Sequence, residues 1–469
     1  MRTSSFSPRR FFFLLIAVML AFCACGGGDD AATEGDKSES PKGPKDSRMT
    51  LWPPTLPSPA EGEIVLGAAG QVRYTPVYKD PVLESLRAEN EAVRRAAAAA
   101  GAEVRKRQQE MAAATKAARR ELVASLAPGE YPASPEQFTR LPHQPPTAQY
   151  LSGTCWAFAA VSLLESEAMR LKGVDVKLSE IYPVYYEYLA KAEGYIAERG
   201  ELHWGEGSQD NAVFRAIAAF GLVPESAYSG SRRFDQRHNH GLLFEDLTSI
   251  LQLAKRDDMR DPNFHLDLVR VVLNRHLGAP PETFAWGDVT YTPQAFMSEV
   301  LGIDPSAYVD FISTAAQPFY KKGVYDVPDN WWRDANYHNL PLDEFMGAFK
   351  RAIERGFTVT IAIDTSEPGR DAENDVMFIP DFDIPPNRID QVAREMRLAN
   401  GSTTDDHGVH VVGTTHHQGH MWYLAKDSGR SARRGRHAGY YFIREDYLRL
   451  KMLAFSVHRD AVPEFLTHF

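Results

Sequence analysis

Apolar residues recur at helical spacing through the middle of the chain and gather into short β-rich runs over its last quarter. From Cys155 to Lys172, the residues Phe158, Val161, Leu164, Ala168 and Leu171 fall on neighbouring helix faces, and Gly173 supplies a stop. Further helices are expected from Leu178 to about Arg199 and from Gln209 to Phe220, the second ending at Gly221. Residues 231–355 read as mostly helical, with breaks at Pro262, Pro280-Pro281, Pro305 and Pro328. Beyond 356 the pattern predicts strands at Phe357 to Ile363, Val409 to Gly413, Trp422 to Lys426 and Tyr440 to Ile443. Helices first and strands later, without βαβ alternation, predict an α+β fold. No internal repeat is visible.

Upstream, the stretch from Pro81 to about Leu126 is Ala-rich, laced with Glu, Arg and Lys, and free of proline until Pro128. It predicts a long exposed helix, and a prosegment, a packing arm and a spacer all fit it. Residues 130–150 are Pro-rich and extended, and residues 26–62 have the composition of a disordered tether. The first 25 residues read as an export signal: Arg2, Arg9 and Arg10 precede an apolar run from Phe11 to Phe22 that is too short to span a bilayer. Cys25, after small Ala24 and before Gly26-Gly27-Gly28-Asp29-Asp30, resembles the acylated cysteine of a bacterial lipoprotein signal. The expectation is export to the cell envelope with membrane attachment through a lipid on Cys25; a cleaved signal with release is the alternative. The expected organisation is a signal at 1–25, a tether at 26–62, a helical extension at 63–130 and a catalytic-type domain at 131–469, with 231–355 as a helical insertion.

Composition narrows this picture in three ways. The length of 469 residues exceeds one typical domain, and 43% hydrophobic with 24% charged residues suits a protein with a sizeable core. A formal charge of −10 argues against a nucleic-acid partner, which calls for clustered basic residues. Of three cysteines, two lie in the signal, so Cys155 stands alone in the body and no disulfide framework is possible. A lone buried cysteine is often only a small hydrophobe, so its surroundings decide.

Those surroundings are Gln149-Tyr150-Leu151-Ser152-Gly153-Thr154-Cys155-Trp156-Ala157-Phe158-Ala159. A cysteine at the start of a helix meets the positive end of the helix dipole and unpaired backbone N–H groups, which favours thiolate over thiol. Ser152 or Thr154 is positioned to cap the turn, and Gly153 permits close backbone approach. The Gln149 amide, six positions earlier, can fold back to donate to the oxyanion of a tetrahedral intermediate, with the Cys155 N–H as second donor. A thiol nucleophile needs a base. Asp406-His407-Gly408-Val409-His410-Val411-Val412-Gly413 offers His407 and His410, which face opposite sides of a strand, so only one can meet Cys155.

The Gln149-to-Ala159 segment resembles the active-site segment of the papain superfamily, in which glutamine precedes the nucleophilic cysteine by six residues and tryptophan follows it. The resemblance implies Cys155 as nucleophile, His407 as base and His410 as a core or second-face histidine. It also implies an orienting group twenty residues on, in Trp422-Tyr423-Leu424-Ala425-Lys426-Asp427-Ser428-Gly429, where the family shows Asn-Ser-Trp. Asp427 stands in place of the asparagine and Gly429 in place of the tryptophan. An aspartate accepts the imidazole hydrogen bond as well as an amide does and adds a charge that stabilises imidazolium.

The 252-residue separation of Cys155 and His407 exceeds the roughly 130–150 of small papain-like enzymes. The excess resembles the bleomycin-hydrolase and aminopeptidase-C branch. Leu178-Ser179-Glu180, Gly207-Ser208-Gln209, Phe220-Gly221-Leu222-Val223-Pro224, Val327-Pro328-Asp329-Asn330-Trp331 and the run Tyr447 to Pro463 agree with it. The implied fold is papain-like, with a helical N-terminal half, an antiparallel β C-terminal half and a large helical insertion. The implied activity is a cysteine-type peptidase, of aminopeptidase type, acting on peptides or proteins without a cofactor. Gly207 and Ser208 stand where the family has a glycine pair lining the substrate cleft. The branch includes ring-shaped hexamers, so a homo-oligomer is a candidate state. The tail after Pro463, Glu464 to Phe469, is shorter than the one that enters the cleft in bleomycin hydrolases. An inactive binding module, suggested by Asp427-Ser428-Gly429, and an acyl transferase or amidase using the same thiol are the competing functions.

Other features read as structural. The histidines at 407, 410, 416, 417 and 420 lack zinc-type Cys or Glu spacing, so His416-His417-Gln418-Gly419-His420 reads as a polar hairpin turn and no metal is assigned. Asp405-Asp406 reads as a loop pair, Asp326 to Trp332 as packing, and Arg430, Arg433, Arg434 and Arg436 as a solvated loop.

Overall fold

The computed structural model describes residues 78–118, 120–232 and 235–469, together with the backbone of 64–67 and 70–73. The export signal, Cys25 and the expected tether lie outside the described residues. The chain divides into two units, one spanning 26–121 and one carrying 122–469. The first holds an antiparallel pair, β1 (Ile64–Gly67) and β2 (Gly70–Arg73), and a long helix, α1 (Pro81–Ala118). The helix stops short of the expected Leu126. Leu122 onward is not helical, and Ala124 N–H donates to the Pro368 carbonyl at 2.7 Å, an acceptor of the second unit.

In the second unit a two-residue strand, β3 (Thr139–Arg140), precedes four helices: α2 (Cys155–Lys172), α3 (Ile181–Ala197), α4 (Asp210–Phe220) and α5 (Gly241–Arg256). The helix α6 (Pro262–Leu277) starts on Asp261, whose carboxylate accepts from Phe264 N–H. The helix α2 is buried around its whole circumference from Trp156 to Ala168, as a central helix must be. It ends on Gly173 in the left-handed conformation, φ 67°. Its buried acids are paired: Glu165 accepts from Lys177 Nζ at 2.9 Å and from Leu178 N–H at 3.0 Å.

The expected helical insertion is helical only in part. After α6 come a hairpin, β4 (Phe284–Trp286) and β5 (Val289–Tyr291), and a short helix, α7 (Pro293–Ala295), continued by a wider turn to Leu301. Then β6 (Tyr308–Ile312), β7 (Lys321–Gly323) and β8 (Tyr337–Asn339) join the main sheet, before α8 (Leu342–Glu354). Runs this short carry no periodicity that separates strand from helix. The remaining elements are β9 (Val359–Ile363), β10 (Arg370–Asp371), β11 (Val376–Met377), α9 (Gln391–Ala399), β12 (His407–His417), β13 (His420–Lys426), β14 (Tyr440–Arg444), α10 (Glu445–Lys451), β15 (Met452–His458) and α11 (Pro463–Leu466).

The sheet order is β10-β11-β14-β13-β12-β9-β15-β6-β8-β7, with β3 also on β12. Pairing is antiparallel except at β11–β14 and β6–β8. One core gathers the helices around α2 and α3, and a second packs the sheet against α8 and α10. The architecture is the expected α+β arrangement, helical half first and sheet half second, with α2 lying against β12 and β9 at their junction.

Candidate active site

Cys155 is the first residue of α2 and is half-buried. The loop before it is tied by its own hydroxyls rather than capped by them. Ser152 Oγ donates to the Gln149 carbonyl at 2.8 Å and meets Thr154 Oγ1 at 2.7 Å, and no side chain caps the helix. The expected capping role of Ser152 or Thr154 is therefore replaced by loop closure, and the N–H groups of the first turn stay open. Gly153 is needed for contact: its N–H donates to Glu206 Oε2 at 2.6 Å, and a Cβ there would lie 2.8 Å from Glu206 Cβ. The Trp156 indole N–H donates to the Glu206 carbonyl at 3.2 Å, so one segment holds both sides of the nucleophile.

Gln149 bridges the two halves. Its N–H donates to the Ser428 carbonyl at 3.0 Å, its Oε1 accepts from Ser428 Oγ at 2.7 Å, and one Nε2 hydrogen goes to the Ser152 carbonyl at 2.6 Å. The second amide hydrogen makes no hydrogen bond among the described residues.

His407 opens β12, and its Nε2–H donates to Asp427 Oδ1 at 2.8 Å. Its other partner is the Cys155 thiol. Burial alone would depress the imidazole, but the Asp427 carboxylate and Cys155 outweigh it and hold His407 well above its ordinary value. Asp427 follows β13 and is 2% exposed. Burial works against its charge, yet His407 and the Gly429 N–H, donated at 2.6 Å, keep it below the usual carboxylate range. Gly429 stands where a tryptophan was expected, and its backbone lies directly on the pair. A Cβ at 429 would sit 3.0 Å from Asp427 Oδ1 and 3.1 Å from His407 Cε1. The histidine–aspartate bond is thus covered by main chain instead of an indole.

His410 is fully buried on the opposite face and meets Ser162 Oγ at 2.8 Å, under α2. His416 to His420 form the expected turn, with Gln418 and Gly419 both at positive φ between paired His417 and His420.

A small cleft of about 30 Å³ joins Cys155 and His407 to Gly207 and Ser208. Gly207 accepts from Lys191 Nζ at 2.7 Å, and a Cβ there would collide with the Asp329 carboxylate. Ser208 turns its hydroxyl away to Glu187 Oε1, 2.7 Å distant, leaving its backbone on the cleft as a glycine would. Four aspartates not assigned to the site from the sequence also line the cleft: Asp210, Asp329 from the run read as packing, and Asp405 and Asp406 from the pair read as a loop. Burial pushes Asp210 up to about 7 and Asp405 up to about 8. Asp405 accepts from Gln209 Nε2 at 2.6 Å, and Asp406 anchors Thr365. Asp329 belongs to the run read as packing, and adjacent Trp331, whose indole donates to Glu187 at 2.6 Å, does pack. The tail lies elsewhere: Glu464 pairs with Arg355 at 2.8 Å, the Phe469 ring meets His338, and none of residues 464–469 lines this cleft.

No family model matches the chain. Over 270 residues, covering 50% of this chain, it is 25% identical to an aminopeptidase C of Lactococcus lactis subsp. cremoris and 24% identical to one of Lactococcus lactis subsp. lactis (strain IL1403). The match spans 62% of each relative's own length. Among solved structures, PepW from Lactobacillus rhamnosis HN001 is similar with a TM-score of 0.59 and 18% identity, covering 71% of this chain and 84% of that one. The fold is papain-like, and the similarity in sequence is to aminopeptidase C.

Proposed function

We propose that the protein is a cysteine-type peptidase, of aminopeptidase type, using Cys155, His407, Asp427 and Gln149. The observation that carries the reading is the His407 imidazole, held between the Asp427 carboxylate at 2.8 Å and the Cys155 thiol. In this mechanism the Cys155 thiolate attacks the scissile carbonyl carbon, and the carbonyl π electrons move to oxygen. The oxyanion is received by the Cys155 N–H and the free Gln149 amide hydrogen. Collapse re-forms the carbonyl and breaks the C–N bond, while the His407 imidazolium protonates the leaving amine. Water then attacks the thioester, giving its proton back to His407, and the thiolate departs from the released carboxylic acid. Asp427 orients the ring throughout and stabilises its charged form.

The aminopeptidase type is supported by the relatives' name and by the cleft chemistry. Asp210, Asp329, Asp405 and Asp406 offer acceptors beside the nucleophile for the α-ammonium group of a peptide. We further propose export and lipid attachment through Cys25, on the N-terminal pattern alone.

The test is the pH dependence of Cys155 alkylation in a chain starting after residue 25, which has a single thiol. Fast alkylation persisting at pH 5 and slowed by His407→Ala supports the thiolate–imidazolium pair. Peptides with free and blocked amino termini then separate aminopeptidase from endopeptidase action. A rate rising only near the free-thiol value of about 8.5 would sink the reading in favour of a binding module.

A further inference from the structure

Residues 230–232 and 237–240, ahead of α5, lie near residues 275–277 in the last turn of α6. A pocket of about 250 Å³ lies between them, separate from the catalytic cleft and lined by Arg232, Arg237, His238, His240, Arg275 and His276. Its charge is only partly compensated. His276 Nε2 meets Asp246 Oδ2 at 2.8 Å, and Arg237 lies 4.0 Å from Asp235. Arg232 and Arg275 are exposed and make no hydrogen bond or ion pair among the described residues.

Beneath these arginines His240 is 2% exposed. Its Nδ1 meets the Tyr188 hydroxyl at 3.2 Å and lies 3.8 Å from Glu206 Oε2, while its Nε2 has no partner among the described residues. Burial holds this imidazole down to about 3, so it stays neutral. The pocket therefore combines unpaired guanidinium forks with a buried ring nitrogen that lacks a polar partner. Guanidinium forks match tetrahedral oxyanions bidentately. The volume lies below the roughly 300 Å³ at which pockets begin to enclose drug-sized ligands, so it suits a group and not a whole nucleotide.

We propose that this pocket binds a phosphate group, as free inorganic phosphate or as a small phosphomonoester. The site adjoins the catalytic loop without belonging to it. Leu151 and Asn239 pair in parallel, Leu151 N–H donates to the His238 carbonyl at 3.2 Å, and His240 N–H donates to the Leu151 carbonyl at 2.9 Å. The Arg237 guanidinium lies 5.8 Å from the ring centre of Tyr150, itself in the left-handed region at φ 51°. A phosphate held there sits against the loop that carries Gln149. This inference does not depend on peptidase activity.

The test is direct binding to the full chain without its expected export signal, by calorimetry, with inorganic phosphate and glycerol phosphate as separate ligands. Saturable single-site binding is expected, weakened about tenfold or more in R232A/R275A and largely kept in R232K/R275K. Both arginines are exposed and unpaired, so the variants should fold, and circular dichroism checks that they do. Tighter binding of glycerol phosphate identifies a phosphomonoester site, and equal or weaker binding identifies free phosphate. No saturation by either ligand, or binding left unchanged by R232A/R275A, overturns the proposal. Because binding is read without turnover, the result is the same whether or not Cys155 is active.

Discussion

On one face of the β12–β13 hairpin, His407 donates to the Asp427 carboxylate and turns its other nitrogen to Cys155. On the other face, Lys426 Nζ donates to Ser162 Oγ at 2.6 Å and Ser162 meets His410 Nδ1 at 2.8 Å. The two arrangements use the same strands, the same kind of ring and adjacent residues at the end of β13, yet protonation runs in opposite directions. Burial depresses both imidazoles. At His407 the carboxylate and thiol overcome it, whereas at His410 the Lys426 ammonium adds to it and the ring is held well below its ordinary value. The period-two alternation of a strand is enough to sort an acid–base pair from a packing pair. The sign of the neighbour, and not depth of burial, decides which ring carries charge.

The largest effect that would test this contrast comes from deleting each histidine. His407→Ala or Cys155→Ala should lower kcat/KM by ~10⁴ or more, and only the cysteine change should leave stability little altered, since the histidine change strands the buried Asp427 carboxylate. His410→Ala should leave kcat/KM within about tenfold but cost about 2–4 kcal/mol of stability, through a cavity and a stranded Ser162–Lys426 pair. Steady-state kinetics and urea unfolding on the same preparations measure both. Equal kinetic losses at the two positions would break the contrast.

Next in size is the carboxylate. Asp427→Ala should cost about 10²-fold in kcat/KM, and Asp427→Asn less than about tenfold, because an imidazolium donates from both nitrogens and the amide oxygen can still accept. The pH dependence gives the sharper reading. Because Asp427 helps hold His407 up, Asp427→Asn should move the alkaline limb of kcat/KM to lower pH. His407, raised in the folded state, contributes stability that is fully present below its unfolded value of about 6.5 and lost as pH rises through the folded value. That contribution should shrink in Asp427→Asn. An unmoved alkaline limb would mean that Cys155 alone sets the ring's charge.

A smaller loss, about 10²-fold or less in kcat at unchanged KM, is expected for Gln149→Ala, because one backbone donor remains at the oxyanion. Single-turnover kinetics separates this from a binding defect. A rise in KM alone would assign Gln149 to substrate binding.

Much of this site is legible in local pattern. The ends of α2, the cysteine at its first turn and the strand opening on His407 follow from spacing and from Gly153 and Gly173, which act within a few residues. That His407 and His410 face opposite ways follows from strand alternation alone. What stays hidden depends on distant chain. Asp329 reaches the cleft because Gly207, 122 positions earlier in sequence, has no Cβ to exclude it. The strands β6, β7 and β8 are hidden because runs of three to five residues, two of them with a buried polar centre (Asp310 and His338), look alike in helix and strand. Ser152 and Thr154 have the chemistry of caps but spend it on each other, a choice set by loop geometry that composition does not encode.

The smallest expected effect concerns Lys426, where burial pushes the ammonium down to about 8 despite the attraction of Glu165. An unfolded lysine titrates near 10.4. Between those values the unfolded chain holds a proton that the folded protein has released, so this group makes stability rise with pH from about 8 to 10. Below pH 8 both states are protonated and the full cost of burying the charge is present. Lys426→Met keeps the length of the side chain and leaves the Ser162–His410 contact and the Glu165–Lys177 pair at 2.9 Å intact. The variant should therefore be more stable than wild type at pH 7 by about 1–2 kcal/mol, with the gap closing towards pH 10, while kcat/KM stays within a few-fold. Urea unfolding at pH 7, 8, 9 and 10 measures it. A variant less stable at every pH would show that Glu165 compensates the ammonium fully. The packing face would then be a balanced ion network rather than a strained one, and the contrast with His407 would rest on geometry alone.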